Sequence, residues 1–257
     1  MSAPAPSTRA PSRKASGTSP RALRPAPSAP RASSGAPRSS TWGGRRRGAG
    51  RKRVEGSGVR HAKRRPTHRE RAVFVTLRVR ADIVNLRRPS SYRVITRAFE
   101  AWRKHKGFRL LHFSVMGNHL HLLVEANNTP SLSRAMQGIA IRIAKGMNRV
   151  MGRKRGRVFA GRYHHDVIDT RRGVRNVLAY ILCNARKHFP NKKLGRTWVD
   201  PWSSGHDFDG WLGDWTCDRK GKAPITAPVS IIAKQWRDSG GGIPPDTVPG
   251  QRPHLHA

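Results

Sequence analysis

Residues 70–188 predict an α+β fold: an antiparallel sheet with helices on one face and a further helix at the C-terminal end. Two observations carry that reading. Short β-branched and aromatic runs alternate with longer stretches whose apolar residues recur at helical spacing. Two of the runs flank Gly117-Asn118, a turn pair of the kind that joins antiparallel neighbours.

In chain order, Ala72–Val79 (AVFVTLRV) is the first strand. Ser90–Lys106 places Val94, Ile95, Ala98, Phe99 and Trp102 on one helical face. Phe108–Val115 (FRLLHFSV) and His119–Ala126 (HLHLLVEA) make the hairpin. After Pro130, Ser131 is the expected N-cap of a helix burying Leu132, Ala135, Met136, Ile139, Ala140, Ile143 and Met147. A basic loop, Arg153-Lys154-Arg155-Gly156-Arg157, leads to a fourth strand near Arg162–Asp169. A last helix, Arg171–His188, buries Val174, Val177, Leu178, Ile181 and Ala185. The order β-α-β-β-α-β-α matches the ferredoxin-like split βαβ with one extra helix. Beyond Phe189 an aromatic cluster (Trp198, Trp202, Phe208, Trp211, Trp215) is expected to pack against the domain, and little order is expected after residue 220. The domain is bounded at 67–205, between a tail of 1–66 and a C-terminal segment of 206–257.

Charge narrows the partner. The chain has 257 residues with 52 Lys and Arg against 14 Asp and Glu, a formal charge of +38. Such a surface gathers polyanions, and nucleic acid gains most from the counterions it releases. Residues 1–66 hold 17 of the basic residues against one acid, Glu55, in a Pro-, Ser-, Ala- and Gly-rich composition that cannot offset its ordering entropy. Disorder is expected there, with Arg45-Arg46-Arg47 and Arg51-Lys52-Arg53 suited to loose phosphate contact. No apolar run is long enough to span a membrane. Two cysteines, Cys183 and Cys217, make neither a disulfide framework nor a zinc cluster and fit a reducing compartment.

The chemistry starts at His119-Leu120-His121. On a strand, alternation puts both imidazoles on one face with Glu125, about 6–7 Å apart at Cα, close enough to chelate one divalent ion. The same pair also suits plain solvation or hydrogen bonding. On the last helix Tyr180 and Asn184 lie four apart and stack on one face. They read either as a core-edge tyrosine with a hydrogen-bonded asparagine, or as a nucleophile with an oxygen ligand. Arg186 and Lys187 follow within two turns and favour a phenolate.

At these residues the sequence resembles a known family. Met116-Gly117-Asn118-His119-Leu120-His121-Leu122-Leu123, Ser131–Gly138, Gly161-Arg162-Tyr163 and Tyr180-Ile181-Leu182-Cys183-Asn184 look like the one-tyrosine HUH transposases. Among these, the REP-associated tyrosine transposases, relatives of the insertion-sequence 200/605 enzymes, are the most similar. The resemblance spans about residues 70–205 and implies an HUH endonuclease domain. It further implies that His119, His121 and Asn184 hold Mg²⁺ or Mn²⁺, with Glu125 a further ligand or an acceptor behind an imidazole. Tyr180 would attack hairpin-bearing single-stranded DNA, leaving a 5′-phosphotyrosine and a free 3′-hydroxyl. A homodimer, and a cytoplasmic, nucleoid-associated setting in bacteria, are implied too. The family commonly carries proline where Gly117 and Ala185 stand here, and often histidine where Phe74 stands, so the first strand offers no obvious polar anchor.

Tyr163, crowded by His164 and His165, is the competing nucleophile. Arg134, Arg142, Lys145, Arg149, Arg153, Lys154, Arg155, Arg157 and Arg162 read as a groove for DNA phosphates. Two other functional classes fit less well. His119-x-His121-x₃-Glu125 imitates a cupin's metal spacing, but flanking glycines are absent and two long helices intrude. A catalytically retired DNA- or RNA-binding ferredoxin-like module would show aromatics at the centre of the open sheet face, where this chain offers histidines.

Overall fold

The computed structural model describes residues 65–189 and 193–250. The basic N-terminal tail, with its arginine clusters, lies outside the described residues except for Arg65 and Pro66. The elements are β1 (Ala72–Arg78), α1 (Pro89–Arg103), β2 (Phe108–Val115), β3 (His119–Ala126), α2 (Thr129–Val150), β4 (His164–Ile168) and α3 (Arg171–His188). A short helix α4 (Ile231–Lys234) follows, flanked by 3-10 turns at Ser204–Asp207 and Trp236–Ser239. The four strands form one antiparallel sheet in the order β2-β3-β1-β4, the expected α+β arrangement.

Strand alternation divides the molecule into two cores. Val73, Val75 and Leu77 of β1 and Leu120, Leu122 and Val124 of β3 point to α1 and α2, where Ile95, Phe99, Leu132, Met136, Ile139 and Ile143 are buried. Two glycines let these helices close up. A Cβ at Gly146 would stand 2.4 Å from Val94, and one at Gly138 would stand 2.1 Å from Trp102. The other sheet face offers Ala72, Phe74 and Leu123 to Val174, Val177, Leu178 and Ile181 of α3. Thus α3 has its own side of the sheet, and so have the odd-numbered residues of β3.

Two local expectations change. The N-cap of α2 is Asn128, whose side chain accepts from Ser131 N at 2.9 Å, rather than Ser131. Pro130 sits in the first turn, where its missing N–H costs nothing, so the cap precedes it. The chain after residue 220 is also no low-order tail through its described part. Ala233, Trp236 and Ile243 are buried with Leu111, Leu123 and α3. Phe208 stacks on Trp236 at 5.6 Å and meets Trp211 edge-on at 5.1 Å. Arg171 reaches Asp238 at 3.3 Å, while Arg175 and Arg186 donate to the carbonyls of Gly242 and Pro245. Isolated large side chains in irregular backbone bury well but leave no periodic trace. The aromatic cluster packs, as expected, except that Trp215 is exposed. Among the described residues no helix is long and apolar enough to cross a membrane.

Candidate active site

The antiparallel register sets Thr76 of β1 opposite His121 of β3, and Arg78 opposite His119. Thr76 Oγ1 lies 3.2 Å from His121 Nδ1, so β1 does supply a polar anchor, two residues beyond Phe74. Asn118, in the turn, places Oδ1 2.7 Å from His119 Nδ1. An amide oxygen only accepts, so His119 carries its proton on Nδ1 and keeps the Nε2 lone pair for a ligand. The imidazoles meet edge to face with centroids 4.6 Å apart. Burial, assisted by the nearby positive charges of His188 and Arg78, pushes His119 down to about 4, which holds it neutral at pH 7. A neutral imidazole is the form that binds metal.

From the other side α3 lowers one stripe onto this pair. The Tyr180 ring lies 5.2 Å from His121 and 5.8 Å from Phe74, both edge-on. Two turns later His188 lies 5.8 Å from His119. Asn184 stands one turn from each, fully buried, with neither Oδ1 nor Nδ2 in a hydrogen bond. Burying an amide unpaired costs stability, so this position demands a reason. Of the two cations expected beside the phenol, only Lys187 is there, its ammonium 6.0 Å from the Tyr180 centroid. Arg186 turns away to the carbonyls of Gly195, Trp198 and Pro245.

Tyr163 lies across the sheet. It sits two residues before His165, which pairs with Val75 on the α1–α2 side, and its hydroxyl is 3.4 Å from Ser133 Oγ on α2. His164 pairs with Thr76 and therefore shares the face of His119 and His121; His165 does not. Only Tyr180 shares a site with the histidines.

Residues 73–184 match the family model for IS200-like transposases. The matched segment, less than half of the chain, is similar to that family. The match opens in β1 and closes on Asn184, so both histidines and Tyr180 fall inside it. A solved structure of a REP-associated tyrosine transposase bound to a REP hairpin is 19% identical, at a TM-score of 0.49, covering 66% of this chain and 100% of that one. No curated protein matches the chain.

Within the matched segment the candidate metal donors are His119, His121 and Asn184. Among the described residues no three His, Cys, Asp or Glu side chains come together to hold an ion. The chemistry of the set fits all the same: two imidazoles, each with a neighbour at Nδ1, and on α3 a buried amide whose oxygen has no hydrogen-bond partner. Glu125 does not join them. It shares their face but lies about 13 Å along the strand from His121, and its carboxylate accepts from Val229 N, Ser230 N and Ser230 Oγ at 2.8, 3.0 and 2.7 Å. It fastens the C-terminal segment. Glu125→Ala is therefore expected to lower stability by about 3 kcal/mol in a urea melt, by leaving buried donors unpaired, while Mn²⁺ affinity stays unchanged. Weakened Mn²⁺ binding would return Glu125 to the metal.

The predicted DNA contacts are scattered. Arg134, Arg142, Lys145 and Arg149 are exposed on α2, and the last three line a groove against α1, on the sheet side opposite the histidines. Arg153 is tied to Asp82 at 3.1 Å, while Lys154, Arg155, Arg157 and Arg162 are exposed. The cavity beside the histidines has its own cations, Arg78 and Arg87. Sequence reading missed both, although pairing β1 with β3 puts Arg78 beside His119. It missed His188 as well, which stands at helical spacing from Tyr180 and Asn184.

Proposed function

We propose that the chain is a metal-dependent single-strand DNA endonuclease and strand transferase that uses Tyr180 as its nucleophile. One observation carries this: α3 sets the Tyr180 ring against His121 and His188 against His119, with the unpartnered Asn184 amide one turn from each on the same helix. The phenol oxygen attacks the scissile phosphorus, the 3′ oxygen leaves with its electron pair, and the phenol proton passes to solvent. One phosphate ester replaces another, so its energy is kept for the reverse attack by a 3′-hydroxyl, as strand transfer requires. A phenol with an ordinary pKa near 10 needs help at neutral pH, and Lys187 sets positive charge beside the developing phenolate. His119, His121 and Asn184 would hold Mg²⁺ or Mn²⁺. Such an ion, when bound, polarises the phosphate and stabilises the leaving oxygen. Asn118 fixes the His119 tautomer, and Thr76 holds the His121 ring in its orientation.

The test is cleavage of a fluorescent single-strand pool, with and without hairpins, in Mn²⁺ or Mg²⁺ and in excess chelator. Cleavage should vanish with chelator and return with metal, and His121→Ala should lower it on the order of 10²-fold or more while the protein still binds the pool. Undiminished cleavage in chelator would overturn the metal's role.

A further inference from the structure

The cavity over the histidines has lining residues beyond those that cleavage uses. It holds about 550 Å³, a volume typical of sites that enclose whole small ligands. From Tyr180 and His121 it runs to a second end lined by Asn85, Arg87, Gly117 and Phe189, none of which the cleavage chemistry uses. We propose that this end is a nucleobase subsite, receiving the base of the nucleotide next to the scissile phosphate. The proposal rests on the strand-cleavage reading and names what would give it sequence preference.

The stacking plate is built before any strand arrives. Arg87 is clamped by both oxygens of the buried Asp200 at 2.7 and 2.8 Å and donates to Val115 O at 3.0 Å. Its guanidinium lies 5.0 Å from the Phe189 centroid and 5.7 Å from that of Trp202. Phe189 is thus backed by a fixed, planar cation, and little ordering remains to be done on binding. Every base has a face that stacks on such a ring.

Selection comes from Asn85. Its Oδ1 accepts from Arg87 N at 2.8 Å, which fixes the amide so that Nδ2 presents donors. Those donors suit a base edge bearing a carbonyl oxygen or ring nitrogen. The floor beneath is bare backbone: a Cβ on Gly117 would stand 3.6 Å from the Asn85 amide, narrowing the slot. Arg78, beside His119, lies on the path of the neighbouring phosphate.

The test measures binding by the full chain carrying Tyr180→Phe, which cannot consume the strand. Its affinity for a short oligothymidylate should exceed that for the wholly abasic strand of equal length on the order of tenfold. The basic tail acts equally on both strands, so the ratio isolates the base. Adding Phe189→Leu should erase the ratio while leaving abasic affinity intact. Adding Asn85→Ala, at an exposed position, should keep the ratio but level the preferences among oligo-dT, oligo-dC and oligo-dA. If Phe189→Leu fails to fold, 2-aminopurine in the strand decides: quenching on binding supports the plate, and unchanged fluorescence overturns it. Equal affinity for base-bearing and abasic strands overturns the subsite even if the enzyme cuts DNA. Base-dependent binding without any cleavage keeps the subsite and removes the nuclease.

Discussion

Tyr180→Phe should leave a folded protein that forms no covalent adduct with DNA, its cleavage falling by at least roughly 10³-fold. The substitution removes one oxygen from a half-buried ring whose edge contacts with His121 and Phe74 are aromatic and survive in phenylalanine. The ring contacts that hold this part of α3 on the sheet are therefore kept in the variant. Tyr163→Phe should cleave normally, because that hydroxyl faces Ser133 of α2 across the sheet. The check is mass spectrometry of the adduct that survives denaturation, after trypsin and nuclease digestion. A nucleotide on the peptide containing Tyr163, or an active Tyr180→Phe protein, would overturn the assignment. No adduct from the wild type, alongside intact binding, would point to a retired DNA-binding domain.

The sheet and its three long helices were legible because both periodicities are strong. β2, β3 and α3 fall where alternation and helical spacing put them. The same alternation placed His119 and His121 together, and the four-residue step placed Tyr180 with Asn184. What stayed hidden depends on pairings that no local pattern records. Thr76 anchors His121 only because β1 runs beside β3 in that register. Glu125 shares a face with the histidines, yet a segment more than a hundred positions later takes its carboxylate. Arg87 looks like one more arginine in a basic chain until Asp200 and Phe189 close on it. The row of basic residues on α2 was legible in sequence, but not that it lies on the other side of the sheet from the histidines.

Asn184→Leu should make the protein more stable and less able to bind metal. Leucine keeps the branching of the side chain and removes two polar atoms that are fully buried without partners. Relieving that desolvation is worth about 1–3 kcal/mol, which for a domain of this size raises Tm by several degrees. A structural asparagine would give the opposite sign, since breaking its hydrogen bonds would cost stability. Metal supplies the second readout. An ion that binds the folded wild type raises its Tm by mass action, so added Mn²⁺ should lift the wild type and leave Asn184→Leu unmoved. Cleavage should fall on the order of 10²-fold or more in the variant. Stored strain of this kind is characteristic of functional positions, and here it sits one helical turn from the nucleophile. A variant that melts earlier than wild type and still responds to Mn²⁺ would remove Asn184 from the ligand set.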